Sequence, residues 1–213
     1  MPLIVFEGPE GAGKTTQVRK LAVRMEAAGR TVVAVREPGG TPLGDEIRRL
    51  LLDPRSDIVP RAEGLLFMAS RAQLVEREIV PALAAGATVL LDRFFLSTYA
   101  YQVAGRGLPH DEVDAANRLA TAHLRPDLTL LLTLPVADGL TRAASRGPND
   151  RMEQAETAFH ERVARAFADF ATPAWQSAHP EAGPIVIVDA RGTVEEVFAR
   201  VVTAVERQAA VRS

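Results

Sequence analysis

The chain contains no cysteine, so a disulfide framework and a thiolate metal site are both excluded. A reducing, cytosolic setting fits this composition. No uninterrupted apolar run approaches the roughly 20 residues that a membrane-spanning helix needs. An excess of charge of one sign is also missing: the formal net charge is −2, which argues against broad binding to a nucleic acid polymer. These absences predict a soluble, cytoplasmic protein with neither membrane nor nucleic acid as a partner.

The 213 residues suit one domain, residues 1–213, and a hydrophobic fraction of 47% is ample for its core. The first residues lead directly into an apolar segment, so we expect no signal or transit peptide. The sequence shows neither an internal repeat nor a low-complexity region.

Apolar segments alternate with segments of helical length along the whole chain. The apolar segments lack clean alternation with polar residues, which is typical of strands covered on both faces. Helix-length connections predict a parallel sheet with right-handed crossovers, hence an α/β fold. Thr193 and Glu196 predict a capping box, and Pro173 should end or kink a helix. The predicted strands are 3–6, 31–35, 87–91, 128–132 and 185–188, and the predicted helices are 14–28, 43–52, 62–85, 97–103, 111–124, 136–145, 152–170 and 194–209.

The most informative stretch is Gly8-Pro9-Glu10-Gly11-Ala12-Gly13-Lys14-Thr15, between the first strand and the first helix. It matches G-x-x-x-x-G-K-[ST] in the strand–loop–helix context that this motif requires. Its glycines let backbone N–H groups curl around a phosphate at a helix N-terminus, where the dipole favours an anion. Lys14 can reach the outer phosphates, and Thr15 can offer its hydroxyl to Mg²⁺. The stretch predicts binding of a nucleoside triphosphate.

Charged residues follow two other predicted strands. Asp92 comes directly after a buried strand, where a carboxylate can hold Mg²⁺ directly or through water. Arg93 would face the phosphates, whose oxygens a guanidinium binds bidentately. At the end of the second strand, in R-E-P-G-G-T, Arg36 can contact a phosphate and Glu37 can fix that arginine.

Two further groups of residues suggest a base site and a lid. Phe67 and Arg71 lie four apart on a predicted helix, which suits stacking a base beside a guanidinium for its carbonyl edge, although Phe67 alone would more readily be a core residue. Arg142, Arg146 and Arg151 surround a Gly-Pro-Asn-Asp stretch, which predicts a mobile lid at about 142–153. An arginine delivered on closure would stabilise the charge that develops in phosphoryl transfer.

The motifs of a signalling GTPase are missing. The sequence has no N-K-x-D, and its only D-x-x-G, Asp189 to Gly192, lies at the wrong end of the chain.

Taken in order, E-G-P-E-G-A-G-K-T-T, R-E-P-G-G-T, D-R-F-x-x-S-T-x-A-Y-Q, R-P-D-L-T-L-L-L and S-R-G-x-x-D-R-M-E resemble bacterial thymidylate kinases, P-loop enzymes that phosphorylate dTMP with ATP. The resemblance runs from Leu3 to the terminal helix. It implies a five-stranded parallel sheet in the order 2-3-1-4-5, flanked by helices, with a short mobile lid. It also implies ATP and dTMP as substrates, Mg²⁺ with the ATP, and a homodimer.

The resemblance also implies a role for each matching residue. Glu10 would approach the 3′-hydroxyl of the acceptor sugar, and Tyr101 would crowd C2′. Gly11 stands where eukaryotic relatives carry an arginine, so the lid would supply that charge, through Arg146 or secondly Arg142. The implied ATP site comprises Gly8, Pro9, Glu10, Gly11, Ala12, Gly13, Lys14, Thr15, Thr16 and Arg142; the dTMP site comprises Glu10, the phosphate contacts Arg36 and Arg93, the thymine contacts Phe67 and Arg71, and Thr98, Tyr101 and Gln102. The implied catalytic residues are Lys14, Arg93 and Arg146, and the metal ligands are Thr15 and Asp92.

Two alternatives stay open at the level of the sequence. One is another nucleoside monophosphate kinase, for cytidylate, adenylate or guanylate. The other is a P-loop regulatory ATPase that has no acceptor nucleotide.

Overall fold

A computed structural model describes residues 3–144, 150–152 and 154–212. The predicted strands form one parallel sheet in the order β2-β3-β1-β4-β5, which confirms the α/β fold and the strand order. The strands are β1 (Leu3–Glu7), β2 (Val32–Arg36), β3 (Thr88–Asp92), β4 (Leu128–Thr133) and β5 (Ile185–Asp189).

The helices of the described residues flank this sheet. They are α1 (Lys14–Ala27), α2 (Pro42–Leu52), α3 (Pro60–Leu74), α4 (Val80–Ala84), α5 (Phe95–Thr98), α6 (His110–Thr121), α7 (Val136–Ala144), α8 (Thr157–Phe170), α9 (Pro173–Ala178) and α10 (Val194–Arg212). The predicted capping box of α10 is confirmed, because the Thr193 N–H donates to Glu196 Oε2 and the Glu196 N–H donates to Thr193 Oγ1.

Three helix predictions need correction. The predicted helix 62–85 is not uniformly α-helical, since a π-helical turn, Val75–Ile79, separates α3 from α4. Pro81 lacks the N–H that would continue a regular α-helix there. The predicted helix 152–170 begins only at Thr157, because the Met152 N–H is held by Asp150 Oδ1 in a turn. The predicted helix 97–103 is α-helical only over Phe95–Thr98, after which a π-helical segment, Tyr99–Gly105, follows. Pro173, predicted to end or kink the helix before it, lies just beyond the end of α8 at Phe170 and opens α9.

The core lies on both faces of the sheet, so the central strands β1, β3 and β4 are mostly apolar. One face, with Val5, Leu91 and Leu131, packs against α8 and the helices that precede β3. The other face, with Phe6 and Leu130, packs against α1 and α10. Strands β1 and β3 are fully buried, whereas the edge strands β2 and β5 are partly exposed.

Parallel strands bring their carboxyl ends to one edge of the sheet. Strands β1, β2 and β3 end there at Glu7, Arg36 and Asp92, which lie next to the phosphate loop. Ligands of open α/β sheets bind at this edge. The order of the strands therefore brings together the motifs that the sequence separates.

Candidate active site

The loop between β1 and α1 curls around its own lysine. Gly13 adopts φ of 86° immediately before α1, a conformation that favours glycine. Lys14 Nζ donates hydrogen bonds to the carbonyl oxygens of Gly8 at 2.9 Å and Pro9 at 2.8 Å. The lysine is thus held inside the concave side of the loop, where the motif places phosphates.

Gly11 lies against α7, and its lack of a side chain has a steric reason. A Cβ added to Gly11 would stand 2.1 Å from the carbonyl oxygen of Gly139, which no real Cβ tolerates. An arginine does not fit at this position without movement of α7. This close approach agrees with the expectation that the catalytic charge comes from elsewhere in the chain.

The environment of Lys14 makes its charge sensitive to a ligand. Burial, and next the positive charge of Arg93, lower the pKa of Lys14 from 10.5 to about 8, against the opposing effect of Glu10 and Asp92. A polyphosphate in the loop would raise this pKa again, since an opposite charge favours the protonated form. Binding of an anion in the loop would therefore favour the protonated, positively charged form of Lys14.

Thr15 and Asp92 meet beside this loop. The Thr15 hydroxyl donates to Asp92 Oδ2 at 2.5 Å, while Asp92 Oδ1 is buried and has no hydrogen-bond partner within the described part of the chain. Hydroxyl and carboxylate oxygens are hard ligands of the kind that Mg²⁺ prefers, usually one or two from the protein with the rest from phosphates and water. The pair therefore fits the predicted cation.

Arg93 connects the phosphate loop to the acceptor side of the site. Its Nη2 donates to Glu10 Oε1 at 2.5 Å, and the Tyr101 hydroxyl donates to the same oxygen at 3.0 Å. Burial by itself lowers the pKa of Arg93, but Glu10 and the other negative groups around it raise this pKa above its usual value. Arg93, Glu10 and Tyr101, which the sequence separates widely, thus form one charged cluster.

Arg71 is the centre of a buried network. Its Nε and Nη2 donate to Glu37 Oε2 at 2.8 and 2.5 Å, and Nη2 also donates to the Phe94 carbonyl oxygen at 2.9 Å. Its Nη1 donates to Thr98 Oγ1 at 2.8 Å and to Asn117 Oδ1. All five N–H groups of the guanidinium therefore have protein acceptors. Glu37, which the sequence suggested would fix Arg36, binds Arg71 instead.

Glu10, Arg71, Arg93 and Tyr101 line one cleft at this edge of the sheet, and concave sites of this kind, with a few convergent polar groups, are where small molecules bind. Phe67 is half-buried in its wall rather than part of the core clusters. The cleft brings together seven residues predicted from the sequence, Glu10, Phe67, Arg71, Arg93, Thr98, Tyr101 and Gln102, and it is also lined by Glu37, Pro38, Arg48, Leu52, Ser97, Asp150 and Met152.

Two predicted arginines, Arg36 and Arg142, do not line the cleft, and a third, Arg146, is not among the described residues. Arg36 is exposed at the end of β2 and does not line the cleft. Arg142 donates through Nη1 to the Ala190 carbonyl oxygen at 3.2 Å, beside the end of β5. Arg146 and half of the predicted lid, residues 145–149 and 153, fall outside the described residues. Arg151, the third arginine of that region, is engaged by Glu63 Oε2 and by the Leu51 carbonyl oxygen.

Sequence reasoning missed Arg48, which lines the cleft from α2. Burial, then the charges of Arg36 and Arg93, lower the pKa of Arg48, as expected where arginines gather without an anion. A signal was present: Arg48 shares a helical face with the buried residues Gly44, Ile47 and Leu51. An arginine on the apolar face of an amphipathic helix indicates a polar site beneath it.

This sheet order, with a phosphate loop after β1 and an acceptor cleft beside it, defines a P-loop kinase. The family model described as thymidylate kinase matches residues 6–201. Thymidylate kinases of Deinococcus radiodurans and Desulfosudis oleivorans are 47% and 46% identical, each covering 96% of both chains. The crystal structure of thymidylate kinase from Ehrlichia chaffeensis superposes with a TM-score of 0.74 at 28% identity, covering 96% of this chain and 98% of that one. The chain belongs to the thymidylate kinase family.

Proposed function

We propose that this chain transfers the γ-phosphoryl group of ATP to dTMP, giving dTDP and ADP on the route to dTTP. The observation that carries the proposal is the continuity of the cleft. It runs from the aromatic wall at Phe67 to Glu10 and Arg93, and Glu10 belongs to the phosphate loop itself. One ligand in the cleft and another in the loop would therefore meet at Arg93.

The phosphate loop supplies the ATP side. Residues 8–16 offer backbone N–H groups and Lys14 to the triphosphate. Arg142, on α7 beside the end of β5, extends this side away from the acceptor cleft. Thr15 and Asp92 would hold Mg²⁺, which supplies charge neutralisation at the phosphates when it is bound.

The cleft supplies the acceptor side. Phe67 offers a ring for stacking on thymine, and Arg71, Thr98 and Gln102 line the polar end of the cleft. Arg71 would donate to the base by exchanging one of its hydrogen bonds within the protein. Arg36, Arg48 and Arg93 are the candidates for the acceptor phosphate. Tyr101 and Glu10 stand between base and phosphate, where the deoxyribose would lie, so we assign them to the sugar.

The chemistry needs no protein nucleophile. An oxygen of the dTMP phosphate, mostly ionised at pH 7, attacks the γ-phosphorus in line, and ADP leaves. Lys14 and Arg93 neutralise the charge that develops on the transferred group, and alignment of the two nucleotides supplies much of the acceleration.

We assign to Arg146 the positive charge that the lid would bring to the transferred phosphoryl group, with Arg142 as the second candidate. Replacing Arg146 by Ala should lower kcat by about 100-fold or more while dTMP binding changes little, because the charge would act in the transition state. A large KM effect with normal kcat would make Arg146 a binding residue instead. Arg142→Ala tests the second candidate: a loss of kcat in that variant with normal kcat in Arg146→Ala would move the role to Arg142, which donates to the Ala190 carbonyl oxygen.

A substrate panel tests the proposal as a whole. Steady-state rates with Mg-ATP and each of dTMP, dUMP, dCMP, AMP and GMP should give the highest kcat/KM for dTMP. Preference for another monophosphate would make the chain a different nucleotide kinase. Substantial ATP hydrolysis that dTMP does not accelerate would indicate a regulatory ATPase.

We also propose that the enzyme is a homodimer. Exposed leucines on neighbouring helices support this: Leu43 of α2 is 51% exposed, Leu65 of α3 is 65% exposed and Leu119 of α6 is 86% exposed. Helix α3 contacts both α2 and α6, so the three leucines lie on neighbouring helices, and we take these helices as the candidate association surface. Light scattering should give twice the monomer mass, and Leu65→Lys should shift it to the monomer.

A cytoplasmic location belongs to the same proposal, because ATP and dTMP are cytoplasmic metabolites. No helix within the described residues is long and apolar enough to cross a membrane. Cell fractionation followed by activity measurement tests the location directly.

A further inference from the structure

Glu7, the last residue of β1, is a fully buried carboxylate that lies outside the assigned roles above. Its Oε1 accepts the backbone N–H groups of Phe94 at 2.7 Å and Ser97 at 3.1 Å. Its Oε2 accepts the Ser97 hydroxyl at 2.6 Å. Three donors therefore converge on this side chain, which suits the carboxylate form, an acceptor at both oxygens.

Ser97 connects this carboxylate to the site. Its Oγ accepts a hydrogen bond from Arg93 Nη1 at 3.0 Å, while Nη1 approaches the Gly8 carbonyl oxygen only at 3.5 Å. A serine hydroxyl has one proton and two lone pairs. Because the proton is directed to Glu7, the lone pairs of Ser97 are left to face the arginine.

The backbone of Arg93 has an uncommon conformation that neighbouring hydrogen bonds hold in place. Its backbone has φ of 72°, in the left-handed region that side chains other than glycine rarely adopt. Its own N–H is held by the Phe6 carbonyl oxygen at 2.9 Å, and the next N–H, that of Phe94, is the one that Glu7 accepts. Glu7 thus contacts both the backbone that carries Arg93 and, through Ser97, one end of its guanidinium.

We propose that Glu7 and Ser97 are positioning residues for Arg93, and that the direction of the Ser97 proton holds the guanidinium in the orientation that meets the acceptor phosphate. The proposal rests on the proposed function, because it assigns the anion that Arg93 meets to the phosphate of dTMP. With Nη1 anchored on Ser97, Nη2 remains directed toward Glu10 in the wall of the cleft. A fixed fork loses less side-chain entropy when the phosphate arrives.

The hydrogen bonds from Arg93 to Ser97 and from Ser97 to Glu7 form a relay, and two substitutions interrupt it at different points. Ser97→Ala removes the hydroxyl but leaves the two backbone N–H bonds of Glu7. Glu7→Gln keeps a carbonyl oxygen for those N–H groups but places an amide donor against the Ser97 oxygen. The hydroxyl proton then loses its acceptor, and turning it toward Arg93 sets donor against donor.

The readout compares dTMP with thymidine, which has the same base and sugar but no phosphate. Calorimetric titration of Glu7→Gln and Ser97→Ala should show dTMP bound about tenfold more weakly, the size of one hydrogen bond to a charged group. Thymidine affinity should fall clearly less than dTMP affinity, because thymidine lacks the phosphate that Arg93 would meet. A general loosening of the site would weaken both ligands alike, and that result would overturn the proposal.

The double variant, Glu7→Gln with Ser97→Ala, shows whether Glu7 acts on Arg93 through Ser97 or independently of it. If Glu7 acts through Ser97, then Glu7→Gln adds little in the Ser97→Ala background, since no hydroxyl remains for the amide to disturb. Additive losses of dTMP affinity would overturn the relay. Thr129→Val is the matched control: it deletes another buried hydroxyl, bonded to the Ala182 carbonyl oxygen at 2.7 Å, and should leave the preference for dTMP over thymidine intact.

Arg93→Ala distinguishes failure of this proposal from failure of the proposed function. It should remove most of the preference for dTMP over thymidine. A wild-type protein without that preference would refute the dTMP site itself, whereas a preference that survives Arg93→Ala would refute only the role of Arg93 and its relay. If Glu7→Gln does not fold, as thermal melting would show, the Ser97→Ala ratio decides alone.

Discussion

Arg71 and Glu37 form a buried ion pair across the base end of the cleft, with Nε and Nη2 of the arginine both donating to Glu37 Oε2 at 2.8 and 2.5 Å. The side chains are only 3% and 5% exposed. Burial raises the pKa of Glu37, and the guanidinium opposes this shift by attraction and by its hydrogen bonds. The pair joins the turn after β2 to helix α3, so we expect base recognition and the local fold to depend on the same contact.

Arg71→Lys should show this double dependence. A lysine keeps the charge but offers three donors to acceptors that now take five hydrogen bonds. We expect about 2 kcal/mol lower free energy of unfolding, from the acceptors left unpaired. The kcat/KM for dTMP should also fall by about 100-fold or more. Urea unfolding and steady-state kinetics measure the two effects, and unchanged stability with normal kinetics would contradict the importance of the network.

Phe67→Ala should weaken dTMP binding by about 1–3 kcal/mol, the range for stacking of a base on an aromatic ring. Phe67→Leu is the control that separates stacking from apolar contact, since it restores much of the volume without the ring. Calorimetric titration with dTMP gives both affinities, and circular dichroism with thermal melting checks the fold. Equal binding by the Leu variant and the wild type would show that stacking adds nothing.

The Thr15–Asp92 pair predicts a specific dependence on Mg²⁺. Asp92→Asn should raise the Mg²⁺ concentration needed for half-maximal activity by about tenfold or more, because a charged ligand group becomes neutral. Thr15→Val should do the same, whereas Thr15→Ser, which keeps the hydroxyl, should remain close to the wild type. Chelation with EDTA should abolish phosphoryl transfer, and added Mg²⁺ should restore it. Mg²⁺ curves that coincide for Thr15→Val and Thr15→Ser would remove the hydroxyl from the metal site.

Lys14 should make ATP binding depend on pH above neutrality. Its pKa is lowered to about 8 by burial and by Arg93, and the bound triphosphate should raise it. ATP affinity should therefore fall by about tenfold per pH unit above 8, with uptake of a proton on binding. Calorimetry in two buffers of different ionisation enthalpy measures that uptake, which Lys14→Met should lose.

The lowered pKa of Lys14 weakens ATP binding as the pH rises, but it has the opposite effect on the free energy of unfolding of the protein without nucleotide. Between pH 8 and 10.5 the unfolded lysine binds a proton that the folded lysine has released. The contribution of Lys14 to the free energy of unfolding therefore rises with pH across this window. Urea unfolding of the wild type against Lys14→Met should show this difference in slope.

Glu63 predicts a loss of stability in acid. Burial by itself would raise its pKa, but hydrogen bonds from Arg106 and Arg151 outweigh burial and lower the pKa below 4.5. This depressed pKa contributes stability above pH 4.5 that is lost as the pH falls through the folded value. Glu63→Gln should flatten this part of the stability profile in urea unfolding. Parallel profiles for the two proteins would show that the carboxylate is not the group responsible.

Much of the candidate active site could be predicted from short stretches of consecutive residues. The phosphate loop and its lysine belong to one stretch of eight residues whose geometry is local, and the glycines permit that geometry wherever the fold places it. The five strands and their order could also be predicted, because buried parallel strands leave a continuous apolar pattern and the resemblance supplied the topology.

Helix ends were predicted less well because they depend on distant contacts. Residue 152 reads as helical, yet its N–H is held in a turn by Asp150, and the adjacent Arg151 is bound to Leu51, 100 positions earlier in the chain. Local propensity carries no information about such partners. The same limitation applies to the π-helical turn before α4, although Pro81 marks its place in the sequence.

The sequence by itself determined the α/β fold and the phosphate-loop motif, and it predicted a metal carboxylate and an acceptor arginine, because each belongs to a short motif. Only the tertiary structure decided which side chains those residues meet. Glu37 accepts hydrogen bonds from Arg71, 34 positions away, and Arg48 lines the cleft from the buried face of α2. Glu7 reached Ser97 across 90 positions. Partner choice of this kind follows from packing and charge in three dimensions, and the order of residues along the chain does not contain it.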